Sequence, residues 1–239
     1  ACYTPGMIHA IVFDFDGVIA DSEPLHYEAF RQITRGFGLD YTYAEYGEKY
    51  IGFDDRDAFG ALLDEAAARR TAPPETLDAL DLPTLCRQKA DAFEQLVREN
   101  IQAYPGVVAF IEHAAERVPI AIASGAIRRD IDLIIDRLDL DDRFPVIVTA
   151  DDVARSKPDP QSYRLAVERL AERHPDADIT PAATVAIEDT PTGLASARGA
   201  GLWTLGITNT AAAAQLADAH RVIDTLEDLT LDQLNQWFG

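Results

Sequence analysis

Residues 10–24 read AIVFDFDGVIADSEP: a short apolar run, then Asp14 and Asp16 two apart, then a glycine. A run of this length and composition predicts a buried strand, and side chains two apart in a strand face the same side. Asp14 and Asp16 therefore converge at the strand's carboxyl end. Two like charges that close are tolerated when a cation lies between them or when one carboxyl keeps its proton. Taken alone, the stretch also reads as a polar turn that closes a strand.

The pattern recurs along the chain. PIAIA leads to Ser124, PVIVTA to Asp151 and Asp152, and TVAI to Glu188 and Asp189, while WTLGI and RVI supply further edge strands. Between these runs, apolar residues fall at helical spacing: Ile127, Ile131, Ile134, Ile135 and Leu138, then Tyr163, Ala166, Val167, Leu170 and Ala171. The alanine cluster at 211–214 is expected to open another helix. Apolar strands alternating with amphipathic helices predict an α/β fold, a Rossmann-like parallel sheet with helices on both faces. Such sheets bind ligands outside the carboxyl ends of their strands, where the reactive side chains of four runs collect here.

Residues 22–103 interrupt the alternation with helical patterns only, from Glu23 to about Phe37, over Asp55–Arg69 and over Thr84–Asn100, with TAPPETLDALDLP as a loop before the last. The segment is read as an inserted α-helical domain. The core then comprises residues 7–21 and 104–239, and Pro105 and Gly106 supply the turn that returns the chain to it. Met7 is the sole methionine, so it is expected to be the natural start, with residues 1–6 (ACYTPG) a cloning remnant.

Composition narrows the function classes. The 239 residues are 47% hydrophobic and 26% charged, as in a soluble globular protein with a substantial core. The net charge of −20 comes with no Lys/Arg stripe to neutralise phosphates, which argues against a nucleic-acid partner. No apolar stretch approaches the roughly 20 residues of a membrane span, and no secretory signal is visible. Cys2 and Cys86 have neither metal-ligand nor disulfide-framework spacing, consistent with a reducing cytoplasm.

DFDGVIADSEPLH (14–26), ASGA (123–126), SKPDP (156–160) and IEDTPTGLASARGAG (187–201) resemble, in order, the four motifs of the haloacid dehalogenase superfamily. The resemblance is nearest to the β-phosphoglucomutase/phosphoglycolate phosphatase-like branch, whose helical cap follows the first motif, and it runs from about Met7 to Leu205. It implies Asp14 as a nucleophile that takes up a phosphoryl group, and Asp16 as the acid that protonates the leaving oxygen and later deprotonates water. It implies Mg²⁺ held by Asp14, Asp189 and the Asp16 main-chain carbonyl, with Glu188 binding directly or through water. Hard oxygen ligands suit that ion. Ser124, Gly125 and Lys157 would bind the phosphate, with the Gly125 and Ala126 amides forming a cradle. Asp151 and Asp152 are read as loop acids at the rim, and one of them as a partner for Lys157.

Within the helical cap, His26, Arg56 and Lys89 stand roughly where relatives place groups for the distal part of the substrate. A surface or salt-bridge role for each stays open. The resemblance thus implies a Mg²⁺-dependent phosphatase acting on a small phosphorylated metabolite, a sugar phosphate or phosphorylated acid, in a monomer or weak dimer. A sugar-phosphate mutase and a non-catalytic phospho-acceptor module are the alternatives. Ala126, where mutases tend to carry a second serine, favours hydrolysis; His26 and Lys89 favour the mutase. Asp16 and the long insertion speak against the phospho-acceptor.

Overall fold

The AIVF run forms strand β1 (Ala10–Phe13), every residue of it buried. It lies at the centre of a six-stranded, wholly parallel sheet with β2 (Ile120–Ala123), β3 (Val146–Val148), β4 (Thr184–Glu188), β5 (Trp203–Ile207) and β6 (Arg221–Ile223). The order across the sheet is β3-β2-β1-β4-β5-β6. The α/β fold expected from the alternation is therefore present, with all six strands on the runs that suggested them, although WTLGI forms β5 between β4 and β6 and not at an edge. The computed structural model describes residues 7–51, 53 and 55–239. The leading segment ACYTPG with Cys2, and Gly52 and Asp54 of the GFDDRDAF stretch, lie outside the described residues.

The chain divides into two compact units: Ser22–Ile101, and the flanking segments through Asp21 and from Gln102 onward. The return falls at Gln102, two residues before the boundary at 104, because Asp21 N donates to Gln102 O and Ala20 bridges Ala103. The inserted unit contains α1 (Glu23–Arg35), α2 (Tyr43–Lys49), α3 (Asp55–Arg69), α4 (Pro74–Asp78) and α5 (Leu82–Asn100). It has its own aromatic-rich core, with Phe30, Tyr41, Tyr46, Phe59, Leu62 and Leu85 buried together.

Two of its helices are not legible in the periodicity. α2 begins at a reciprocal capping box, Thr42 with Glu45. α4 occupies part of the stretch expected to be a loop, started by Pro74 at a position where a missing N–H costs nothing.

In the other unit, helices cover both faces of the sheet. They are α6 (Val107–Ala115), α7 (Arg128–Arg137), α8 (Gln161–Arg173), α9 (Pro191–Gly199) and α10 (Leu231–Phe238). On one face Val12, Ala121, Val148 and Ala186 pack with Tyr163, Ala166 and Leu170 of α8 and Ala197 of α9. On the other, Phe13 meets Phe110 and Phe144 edge to face at 6.1 and 6.0 Å between ring centroids, a favoured aromatic geometry.

Two expectations fail in this unit. Ile127 is not part of the buried face of α7; it is the N-cap residue and 46% exposed, while Ile131, Ile134 and Ile135 face the core. The alanine cluster opens no helix: Gln215 N bonds Ala212 O and Leu216 N bonds Ala213 O, so residues 213–218 fold as turns. Ala211 and Leu216 are drawn onto Leu194 of α9, and that packing overrides alanine's helix propensity. Among the described residues no helix is long and apolar enough to cross a membrane.

Candidate active site

β1 and β4 pair with Phe13 opposite Ile187, and Asp14 N continues the ladder onto Ile187 O at 2.9 Å. That register sets Asp14 beside Glu188, the last residue of β4. The chain then turns sharply at Gly17, whose φ is +80°. A side chain there would run into the Asp189 carboxylate and come within 2.8 Å of the Thr210 hydroxyl. Glycine is required both by the left-handed backbone and by the space.

The outcome is a cluster at the carboxyl ends of the two central strands. One oxygen from each of Asp14, Glu188 and Asp189 lies within 4.8 Å of the others. The Lys157 ammonium donates to Asp14 Oδ1 at 2.8 Å and to Glu188 Oε1 at 2.6 Å. Three buried carboxylates thus face the Lys157 ammonium.

Burial and the neighbouring Glu188 hold the Asp14 carboxyl well above its ordinary value, against the pull of Lys157. Burial and Glu188 likewise push Asp189 up to about 7, opposed by a hydrogen bond from Thr210 and by Lys157. Burial alone would lower Lys157, but Asp14 and Glu188 outweigh it and keep the ammonium charged.

Glu188 is wholly buried and held on both oxygens. The Tyr163 hydroxyl donates to Oε1 at 2.7 Å. Asp189 N, Thr190 N and Thr190 Oγ1 donate to Oε2 at 3.2, 3.4 and 3.2 Å. Thr190 also caps α9, its Oγ1 accepting from Gly193 N at 3.1 Å. By contrast, Asp189 Oδ1 is buried with no hydrogen-bond partner. An orphaned carboxylate oxygen facing two further carboxylates is the environment a hard divalent cation completes, so these residues fit Mg²⁺. The carboxylate of Asp16 is not one of the three clustered groups.

Ser124 follows β2 directly, its N donating to Val148 O, and its side chain is buried. Its Oγ accepts from Ala126 N at 2.9 Å, which leaves the hydroxyl proton to be donated elsewhere. The Ala126 amide is therefore engaged within the loop, while Gly125 is exposed. The expected partnership of Lys157 with Asp151 or Asp152 is absent. Asp152 closes a capping box on Thr149 and pairs with Arg169 at 2.7 Å, and Asp151 accepts from Arg128 N. Both acids serve local turn structure.

In the inserted unit the structure brings two of the three expected residues together. The Lys89 ammonium, 3% exposed, donates to Asp55 Oδ1 at 2.6 Å and to His26 Nδ1 at 3.0 Å. It also lies over the rings of Phe30 and Phe93 at 4.7 and 5.2 Å. An ammonium has no lone pair to accept with, so His26 Nδ1 is the acceptor and the ring proton sits on Nε2. Burial, together with Lys89, lowers the His26 pKa well below its ordinary value. Nothing in the sequence singles out Asp55, although it is the partner that neutralises Lys89. Arg56 is exposed in the first turn of α3.

Residues 11–207 match the family profile described as haloacid dehalogenase-like hydrolase. The chain is 31% identical over 198 residues to a phosphorylated carbohydrates phosphatase of Thermotoga maritima, covering 82% of each chain. It is 26% identical over 231 residues to β-phosphoglucomutase of Bacillus subtilis, covering 95% of this chain and 94% of that one. Among solved structures, CbbY from Rhodobacter sphaeroides in complex with phosphate superposes with a TM-score of 0.74 at 28% identity, over 93% of this chain and 96% of that one.

Proposed function

The chain belongs to the haloacid dehalogenase-like hydrolase family and is a phosphoric monoester hydrolase, and from that premise we propose that it removes phosphate from a small sugar phosphate through a covalent intermediate on Asp14. The observation that carries this reading is the cluster itself: Asp14, Glu188 and Asp189 converge at one strand end with Lys157 bonded to two of them. The similarity to a phosphatase of phosphorylated carbohydrates supports a sugar phosphate as substrate.

In the first half-reaction an Asp14 carboxylate oxygen forms a bond to phosphorus as the ester P–O bond breaks. Asp16 gives its proton to the leaving alkoxide. In the second half, Asp16 takes a proton from water, the water oxygen bonds to phosphorus, and the bond to Asp14 breaks. Dividing one displacement into two replaces a hard step with easier ones, and the barrier then depends on placement and charge neutralisation. Ser124 donates its free hydroxyl proton to a phosphoryl oxygen, the Gly125 amide lies beside it, and Lys157 supplies a positive charge. Asp14, Glu188, Asp189 and the Asp16 main-chain carbonyl would hold Mg²⁺, which neutralises phosphoryl charge when bound. We propose that the inserted unit contributes to substrate selection, with His26, Arg56 and Lys89 as the candidate residues.

The similarity to a β-phosphoglucomutase over most of the chain keeps a mutase as the second reading. Rapid quench with labelled acetyl phosphate tests both. We expect label on wild-type enzyme to pass to free phosphate within a turnover time in Mg²⁺ and to be absent in EDTA, and we expect Asp14→Asn to take up none. Label that persists on the wild-type enzyme and moves onto added glucose 1-phosphate would establish the mutase instead.

A further inference from the structure

Helical spacing alone places Tyr163 on the buried face of α8, where a phenylalanine would serve equally. In the structure it is 0% exposed, and both parts of its side chain are engaged at the catalytic cluster. The hydroxyl donates to Glu188 Oε1 at 2.7 Å. That is the same oxygen on which Lys157 places its ammonium at 2.6 Å. The ring lies under that ammonium, 5.0 Å from Lys157 Nζ to the ring centroid.

Lys157 spends two of its three N–H donors on Asp14 and Glu188, and swinging its ammonium toward a phosphoryl oxygen weakens at least one of those bonds. A buried carboxylate left without a donor carries a desolvation cost. On Oε1 of Glu188, the Tyr163 hydroxyl is the donor that stays. The carboxylate also rests against Gly193 at the start of α9, so the group is fixed by a donor and a wall.

We propose that Tyr163 is a positioning residue with two separable duties: its hydroxyl fixes Glu188 for the metal, and its ring gives the Lys157 ammonium a face on which to exchange a carboxylate for phosphate. The proposal rests on the phosphohydrolase reading of the cluster. The hydroxyl duty follows the general behaviour of groups that orient metal ligands, and the ring duty follows cation–π attraction.

The test uses the whole chain as wild type, Tyr163→Phe and Tyr163→Leu, each confirmed as folded by circular dichroism. Mg²⁺ affinity is measured by calorimetry without substrate, and inorganic phosphate affinity by product inhibition in saturating Mg²⁺. Tyr163→Phe keeps the ring and loses the donor, so Mg²⁺ should bind about tenfold more weakly or worse while the phosphate inhibition constant stays within about twofold. Tyr163→Leu should lose affinity for both ligands. If the leucine variant does not fold, the phenylalanine variant alone decides. Wild-type Mg²⁺ affinity in Tyr163→Phe would overturn the proposal and leave the phosphohydrolase reading standing. A wild-type chain that takes up no Mg²⁺ would overturn both.

Discussion

Burial and Glu188 raise the Asp14 and Asp189 carboxyls above the ordinary value of 3.8, Asp189 to about 7, so without a bound cation both hold their protons to higher pH in the folded protein than in the unfolded chain. From about pH 4 to about pH 7 the native state therefore binds more protons than the unfolded state, and stability falls as pH rises through that window. We expect the melting temperature of the EDTA-treated protein to drop between about pH 5 and about pH 8, and saturating Mg²⁺ to flatten the profile by neutralising the carboxylates. Thermal melts across that range with and without Mg²⁺ measure it; a flat metal-free profile would contradict the assigned shifts. The acids themselves were legible because each ends an apolar run, and the parallel sheet leaves those ends side by side. Tyr163 was not, since helical spacing identifies a buried face without showing where one hydroxyl on it points. Asp55 escaped for a related reason: in a chain this acidic, nothing in its spacing marks it as the partner of a lysine 34 residues later.

At the level of elements, the six strands were legible because each is a short apolar run bounded by polar or turn residues. The missed pieces are those fixed by local capping or by packing. α2 depends on Thr42 and Glu45 reaching each other, and α4 is a single turn after Pro74. The alanines at 211–214 were overruled by the burial of Leu216. The junction of β4 with α9 yields a prediction in which propensity and space oppose each other. In an ordinary helix interior, glycine to alanine stabilises by about 1 kcal/mol. At Gly193 the added methyl would run into the Glu188 carboxyl carbon and both its oxygens. Glu188 cannot withdraw without leaving Tyr163, Lys157 and Thr190. Crowding of this kind costs about 1–3 kcal/mol, so we expect Gly193→Ala to melt several degrees lower and to bind Mg²⁺ poorly. A variant that melts higher with wild-type metal affinity would show that the carboxylate has another place to go.

Over the whole molecule, the insertion was visible as a stretch where strand-like runs stop, and each of the two units has a core of its own. What the substrate meets first, however, is charge. Aspartate and glutamate number 41 against 21 lysines and arginines, a formal charge of −20. The cluster repeats the imbalance, with Asp14, Glu188 and Asp189 facing the single ammonium of Lys157. A phosphate monoester is itself an anion, so its approach is opposed at long range; on the proposed mechanism, Mg²⁺ and Lys157 would take over at contact. Screening shortens the repulsion far more than the contact attraction, because the Debye length falls from about 30 Å at 0.01 M salt to about 8 Å at 0.15 M while the buried pairs are little affected. Enzymes that steer anions electrostatically lose kcat/KM as salt rises; this one should gain it. We expect kcat/KM for a sugar monophosphate to rise severalfold between about 0.01 and 0.15 M NaCl at fixed saturating Mg²⁺, mainly through KM. The internal control is kcat, which should not move if, as proposed, the chemistry takes place among buried charges that salt barely screens. A fall in kcat/KM would mean that cations near the site govern the approach despite the acidity of the chain.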